Sequence, residues 1–498
     1  MRPARLALLA ALVATPLPAA AQFPADLREA LDDAVELYRR NRAENYRLAT
    51  DPNERYGVLV GSGIFAFGDA DYVFAVGDEA FEAEIDRARG LGQGEAWGPP
   101  PLPAQSRRLH DGERGGLDAS SCRTCHFVGG PDGAGSATQV ALLRGDGERL
   151  STATVRDAPH LMGLGYLALA ARQIERHIDT RVDVARSQAR DLGEPVVARL
   201  LIDGIDYGRV VAAPDGALDT SGLIGLSPDL AVRPFGHKGR HRDLVALADE
   251  ALAVHHGLQS DARIEARQDD PATWLGPGDR YDPDADGVEA EVDSAQAVLL
   301  AAYLSMLGTP RIRPPDDPAL ALVAARGRAL FDQIGCAGCH HPAIYLQDRV
   351  TRLQSGGPEP FTVEYDLADV GQEPRPRRLD FTPDEGGQIG GGVPIFAFTD
   401  LRRHDLGPAL AEPVPELLPD GGGAIPGAVW LTRPLWGLAD TGPYLHDGRA
   451  PTVTDAIEAH GGEATASADA WRALDPEAQG ALRVFLMTLT RPPFLLVE

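Results

Sequence analysis

Apolar positions along the chain fall into a few helical stripes separated by long stretches without period. Residues 25–44 place apolar and charged positions at helical spacing and predict an amphipathic helix, whereas residues 58–76 alternate glycine with β-branched and aromatic residues and predict a short hairpin. A helix is expected from Ser294 to Leu307, followed over 308–318 by four prolines and two aspartates that read as a linker. From Leu320 onward Val323, Gly327, Leu330, Phe331 and Ile334 recur at helical spacing and predict a second amphipathic helix. Near the C-terminus Asp475 and Pro476 look like an N-cap and first helical residue, with Leu482, Phe485, Leu486 and Leu489 on one face.

Composition narrows the class. A chain of 498 residues that is 44% hydrophobic and 24% charged buries a sizeable core and is expected to divide into two or more domains. The net charge of −26, without any Lys/Arg block, offers nothing to neutralise phosphates, so nucleic acid and anionic membranes are not expected partners. Fifty-five glycines and 40 prolines imply long irregular connections on a modest helical scaffold.

Residues 1–21 carry Arg2 and Arg5, an apolar stretch from Leu6 to Val13, and Ala19, Ala20 and Ala21 before Gln22. That order describes a secretory signal peptide, and Pro16 and Pro18 cut the apolar run below the roughly 20 residues a spanning helix needs. The expected location is the periplasm or the extracellular space, with no membrane span.

Export invites disulfides, yet the four cysteines lie as Cys122-Arg123-Thr124-Cys125-His126 and Cys336-Ala337-Gly338-Cys339-His340. Two thiols one turn apart suit the two vinyl groups of a c-type haem, and the adjoining imidazole then reaches the iron. A redox CxxC pair has no need of the following histidine, and a zinc site has no need of it twice. The helix before Cys336 and the helix after Asp475 would cross over the second haem as in cytochromes c. The segment from Gln347 to Gly427, dense in Gly, Pro and Asp, is expected to be a long insertion wrapped over that haem. No internal repeat is visible beyond the duplicated motif.

Several stretches resemble the bacterial di-haem oxidoreductases, also described as peroxidases or thiol oxidoreductases, relatives of the di-haem cytochrome c peroxidases and MauG. They are Ala158-Pro159-His160-Leu161-Met162-Gly163-Leu164-Gly165, Phe398-Thr399-Asp400-Leu401 with His404-Asp405-Leu406-Gly407, and Arg433-Pro434-Leu435-Trp436-Gly437 leading into Pro443-Tyr444-Leu445-His446-Asp447-Gly448-Arg449-Ala450. The resemblance implies that the last segment lies between the haems, with calcium held by the carbonyls of Thr441 and Pro443. It also implies a distal ligand of the second haem at His460, where related peroxidases often carry Met; the other reading is a helix-end histidine before Gly461 and Gly462. A second imidazole would lower that haem's potential.

For the first haem the distal candidates are His110, His160, Met162 and His237, and spacing does not choose among them. A methionine shortly after a proline favours Met162, which fits equally as core. Trp436 reads either as an electron relay between the irons or as core. The paired His255-His256 are read as structural, because adjacent helical residues point about 100° apart. Asp282, Asp284, Asp286 and Asp293 follow the spacing of a calcium-binding loop, short of the usual Glu at the last position, or form an acidic surface turn.

The expectation is therefore a mainly α fold with two cytochrome c-like haem domains (22–310 and 311–498), long irregular loops and a small β-like N-terminal segment. By the resemblance the protein is an exported oxidoreductase that reduces hydrogen peroxide or another small oxidant, with a small redox protein as electron donor and two c-type haems. The alternatives are a non-catalytic electron carrier and MauG-like oxidation of a protein partner.

Overall fold

A computed structural model describes residues 70–85, 119–143, 154–258, 260–266, 291–292, 294–356, 360–370, 392–419 and 423–491. The expected signal peptide, the helix over 25–44, His110, and Asp282, Asp284, Asp286 and Asp293 lie outside them.

Nine α-helices occur among the described residues: α1 (Ala70–Glu82), α2 (Leu164–Leu192), α3 (Leu244–Ala251), α4 (Asp261–Ala266), α5 (Ser294–Met306), α6 (Pro318–Gln333), α7 (Val453–Glu458), α8 (Thr465–Ala473) and α9 (Pro476–Leu486). Fifteen short strands accompany them, in six antiparallel pairs and one three-stranded sheet. The expectation of a mainly α fold is thereby overturned. The β-like N-terminal segment is also corrected where it is described, because 70–76 opens α1. Val73, Val76, Ala80 and Phe81 are buried at helical spacing, with tyrosine from α5 beside Phe81.

The strands arise where apolar residues alternate. Val196–Ile202 and Ile205–Ala212 form a hairpin whose tip, Asp203-Gly204, has two positive φ angles, 50° and 82°. An Asp-Gly pair between alternating apolar residues favours this two-residue turn. Leu200, Ile202, Ile205, Tyr207 and Val210 point inward against α2, leaving Val197 and Leu201 exposed.

The segment 347–427 divides: Phe398, Asp400 and His404 lie against the second motif, while its earlier part packs elsewhere. Val350–Gln354 pairs with Thr362–Asp366, and Val393–Ile395 pairs back with Ile344–Leu346. Leu353, Leu367, Val393, Ile395 and Leu401 then join the same core as α1, α2 and α5, so buried residues on both sides of 310 form one cluster. Their apolar side chains are spaced for short strands, and burying them against α2 and α5 removes them from water.

A second core holds Phe331, Ile334, Phe398, Trp471, Leu482, Phe485 and Leu486. The Asp475 side chain accepts from the Ala478 N–H and caps α9, with Pro476 at its first turn. Helix α6 crosses α9 at Gly327, where a Cβ would overlap the Ala481 carbonyl. Helix α1 meets α5 in the same way, Gly77 leaving room for only 2.6 Å between an added Cβ and that of Tyr303.

Candidate functional site

Both CxxCH segments fold into one turn of 3-10 helix, and in both the histidine N–H donates to the carbonyl of the first cysteine, at 3.2 Å in His126 and 3.0 Å in His340. No disulfide joins the four cysteines. Burial pushes the Cys122 thiol up to about 12 and the Cys336 thiol to about 11. A redox-active CxxC needs the opposite shift, so these sulfurs are not built as thiolate nucleophiles.

Cys122, Cys125 and His126 line a cavity of about 270 Å³. His126 donates Nδ1–H to the Gly133 carbonyl at 3.2 Å, a bond that leaves the lone pair on Nε2. Burial first, with the nearby His255 and His256, lowers its pKa to about 4, so the ring is neutral and able to ligate a metal. Donation of the remote N–H to a carbonyl is the usual way a ligating imidazole is oriented.

His160 and His237 also line this cavity, whereas Met162, 1% exposed, belongs to the core and not to the lining. His237 donates Nε2–H to the Asp157 carbonyl at 2.9 Å. The His160 pKa falls to about 3, through burial and then the charges of Arg433 and Arg491, and its buried Nδ1 finds no hydrogen-bond partner among the described residues. Arg433 faces the same space; burial lowers it to about 10, and no carboxylate among the described residues pairs with it. A neutral imidazole with an unmet nitrogen and a cation lacking an acid fit a ligand with anionic groups.

Sequence reasoning set aside His255 and His256, but both line the cavity. They end a π-helical turn, Leu252–His256, a form found often at functional sites and without a sequence signature of its own.

At the second motif His340 donates Nδ1–H to the Phe398 carbonyl at 3.1 Å, and His460 donates Nδ1–H to the Ala456 carbonyl at 2.7 Å. The ring centres of His340 and His460 are 6.5 Å apart, with planes inclined 58°. That separation is of the order that two imidazoles sharing one ion show, about 6 Å from two metal–nitrogen bonds of about 2.0 Å and the two ring radii. Burial and the neighbouring His460 lower His340 to about 4, and burial lowers His460.

Cys339, Asp400 and His404 form the one group of three such donors within 4.8 Å among the described residues. His404, given no role in the sequence beyond its place in a family-like stretch, spends both nitrogens on carboxylates: Nε2 to Asp400 at 2.9 Å and Nδ1 to Glu463 at 2.8 Å. Burial pushes its pKa down, but Asp400, with Cys339, outweighs burial and raises it to about 10. This ring is an ion-paired imidazolium, a poor metal ligand. Of the calcium candidates Thr441 and Pro443, the Thr441 hydroxyl donates to the Gly437 carbonyl at 3.0 Å.

The segment from Arg433 to Ala450 runs between the two motifs' surroundings. Trp436, 2% exposed, packs in the first core, while Leu435, Leu438 and Tyr444 pack against the second. Gly163, with φ 76°, makes room for the Trp436 ring, which an added Cβ would approach to 2.7 Å.

Residues 380–489 match the family described as "Di-haem oxidoreductase, putative peroxidase". A solved structure of Kuenenia stuttgartiensis hydrazine synthase, pressurized with xenon, aligns at 16% identity and a TM-score of 0.23 over 57% of this chain and 78% of that one. At that score the likeness bears on neither fold nor function. No curated protein matches. No helix among the described residues is long and apolar enough to cross a membrane.

Proposed function

We propose that this chain, whose residues 380–489 carry the di-haem oxidoreductase match, is an exported enzyme that reduces peroxide or a similar small oxidant using two covalently held haems. The observation that carries this reading is the pair of CxxCH turns, each presenting a neutral imidazole whose Nδ1–H is held by a carbonyl. Haem supplies one-electron chemistry at iron, and the chain supplies attachment, axial ligands and electrostatics.

Cys122 with Cys125, and Cys336 with Cys339, are the attachment thiols, and His126 and His340 the proximal ligands. His460 completes the second site. Arg433, which lines the first cavity, would hold an anionic group of a haem bound there, and Trp436 packs in the adjoining core. Electrons arrive from a small redox protein, and the chain works in the periplasm or outside the cell.

Purified haem-loaded protein tests this by covalent haem content, followed by optical and electron paramagnetic resonance spectra, ferric and half-reduced, with and without peroxide. Two attached haems and a peroxide-dependent change in one redox state are expected. Two low-spin irons indifferent to peroxide in both states would make the protein an electron carrier instead.

A further inference from the structure

The loop that follows His460 is tied to the turn that orients His340. Glu463, three residues beyond His460, accepts from the His404 Nδ1–H at 2.8 Å with one carboxylate oxygen and from the Asp405 N–H at 2.9 Å with the other. The main chains touch as well. A Cβ added to Gly462 would overlap the Asp405 carbonyl and come within 2.7 Å of the Gly407 nitrogen, so 461–463 lies flush against 405–407 with no room for a side chain between them.

The other nitrogen of His404 reaches back toward the motif. Nε2 donates at 2.9 Å to Asp400, which is wholly buried and also accepts from the Arg402 N–H at 2.9 Å and Nε–H at 2.7 Å. The Asp400 carbonyl accepts from the Tyr207 hydroxyl at 2.8 Å, and the Thr399 hydroxyl donates to the Thr432 carbonyl at 2.6 Å, which anchors this turn to two distant parts of the chain. Two residues before Asp400 stands Phe398, whose carbonyl holds the His340 Nδ1–H. The Cys339 sulfur lies 3.8 Å from His404 Nδ1.

Both carboxylates beside the His404 ring are acceptors, so both ring nitrogens carry hydrogen and the side chain is a cation between two anions. A neutral histidine would set a lone pair against one of them. An ion pair that only stabilised the fold could join any two elements. This one joins the segment that orients His340 to the loop that carries His460, and those two rings have centres 6.5 Å apart.

Resting on the two-haem reading above, we infer that Asp400, His404 and Glu463 are positioning residues of the second site, a charged bridge that fixes the His460 loop relative to the turn holding His340. They act through the two imidazoles. Without the bridge the loop is freer, and His460 spends more time away from the iron.

The test uses full-length haem-loaded protein, with carbon monoxide as the probe of the ferrous form and covalent haem counted throughout. His460→Ala is the reference: its second iron turns high-spin when ferric and binds carbon monoxide without delay, which identifies that iron's signal and kinetic phase. Glu463→Ala is the principal variant, because the Glu463 side chain is 53% exposed and its loss leaves no buried cavity. Its second iron is expected to bind carbon monoxide about tenfold faster than in the unaltered protein, the order of one charge-assisted hydrogen bond lost. Glu463→Gln, which keeps an acceptor oxygen, should fall between the two, and the first iron's phase should not move. An unchanged second phase in Glu463→Ala would overturn the inference even if the urea midpoint fell, because the bridge would then serve stability alone. Should Glu463→Ala lose a haem, Glu463→Gln decides, an unchanged phase counting against the bridge. Failure of His460→Ala to alter either signal would sink the His460 assignment and the bridge with it, and a chain with no covalent haem would sink the two-haem reading itself.

Discussion

His340 and His460 lie with ring centres 6.5 Å apart, each held in one tautomer by a main-chain carbonyl. A histidine that merely closes a helix has no cause to lie beside the motif imidazole. Replacing His460 by Ala is expected to convert one low-spin ferric signal to high-spin while both haems stay attached. An unchanged spectrum would remove His460 from the ligand set.

The attachment assignment has a simpler check. Changing Cys122 and Cys125 together to Ala should halve covalent haem, read by haem stain and absorbance per chain, and changing Cys336 and Cys339 should do the same. Retention of two covalent haems in either variant contradicts it.

Close helix contact at Gly327 sets a stability prediction. A Val side chain there would collide with the Ala481 carbonyl and with Phe485, so α6 and α9 must separate at a cost of about 2 kcal/mol or more. The urea midpoint of Gly327→Val should fall well below that of the unaltered protein, and an equal midpoint would show that the crossing is looser than described.

Tyr303 predicts a pH effect. Its hydroxyl lies 2.6 Å from Asp132 and 3.0 Å from Asp78, yet carries one hydrogen, so one contact needs a protonated carboxyl. Burial raises Asp132 to about 7, with Asp78 adding to the shift and the Tyr303 hydrogen bond opposing it. Between the ordinary value of 3.8 and about 7 the folded chain holds a proton that the unfolded chain releases, so this group's contribution falls as pH rises through that window. Asp132→Asn should therefore gain in melting temperature relative to the unaltered protein from pH 4 to pH 7. Parallel melting curves across that range would remove the effect.

Legibility in the sequence followed the range of the interactions. The CxxCH turns, the Asp475 cap and the helices around Gly327 and Leu300 are local, and periodicity exposed them. The Asp203-Gly204 hairpin carries a local turn signal between two alternating apolar runs. The strands of 344–431 are two to five residues long, too short for a period to stand out, and pair across up to about 50 residues. Met162, as ligand or core, and Trp436, as relay or core, are ambiguous in the sequence because either role asks for the same apolar side chain. The surroundings of His256, Arg433 and His404 were not legible, because what marks them is a π-turn, a missing acid and two distant carboxylates.

The shared core has a consequence for how the chain can be divided. Ile344, Leu346, Leu353, Val393 and Ile395 follow the proline-rich stretch at 308–318 yet are buried with α2 and α5, which precede it. A protease cut between Gly308 and Pro318 would leave two fragments still clasped by that apolar contact, co-eluting until denaturant parts them. Expressed alone, residues 311–498 would present these side chains to water and tend to aggregate.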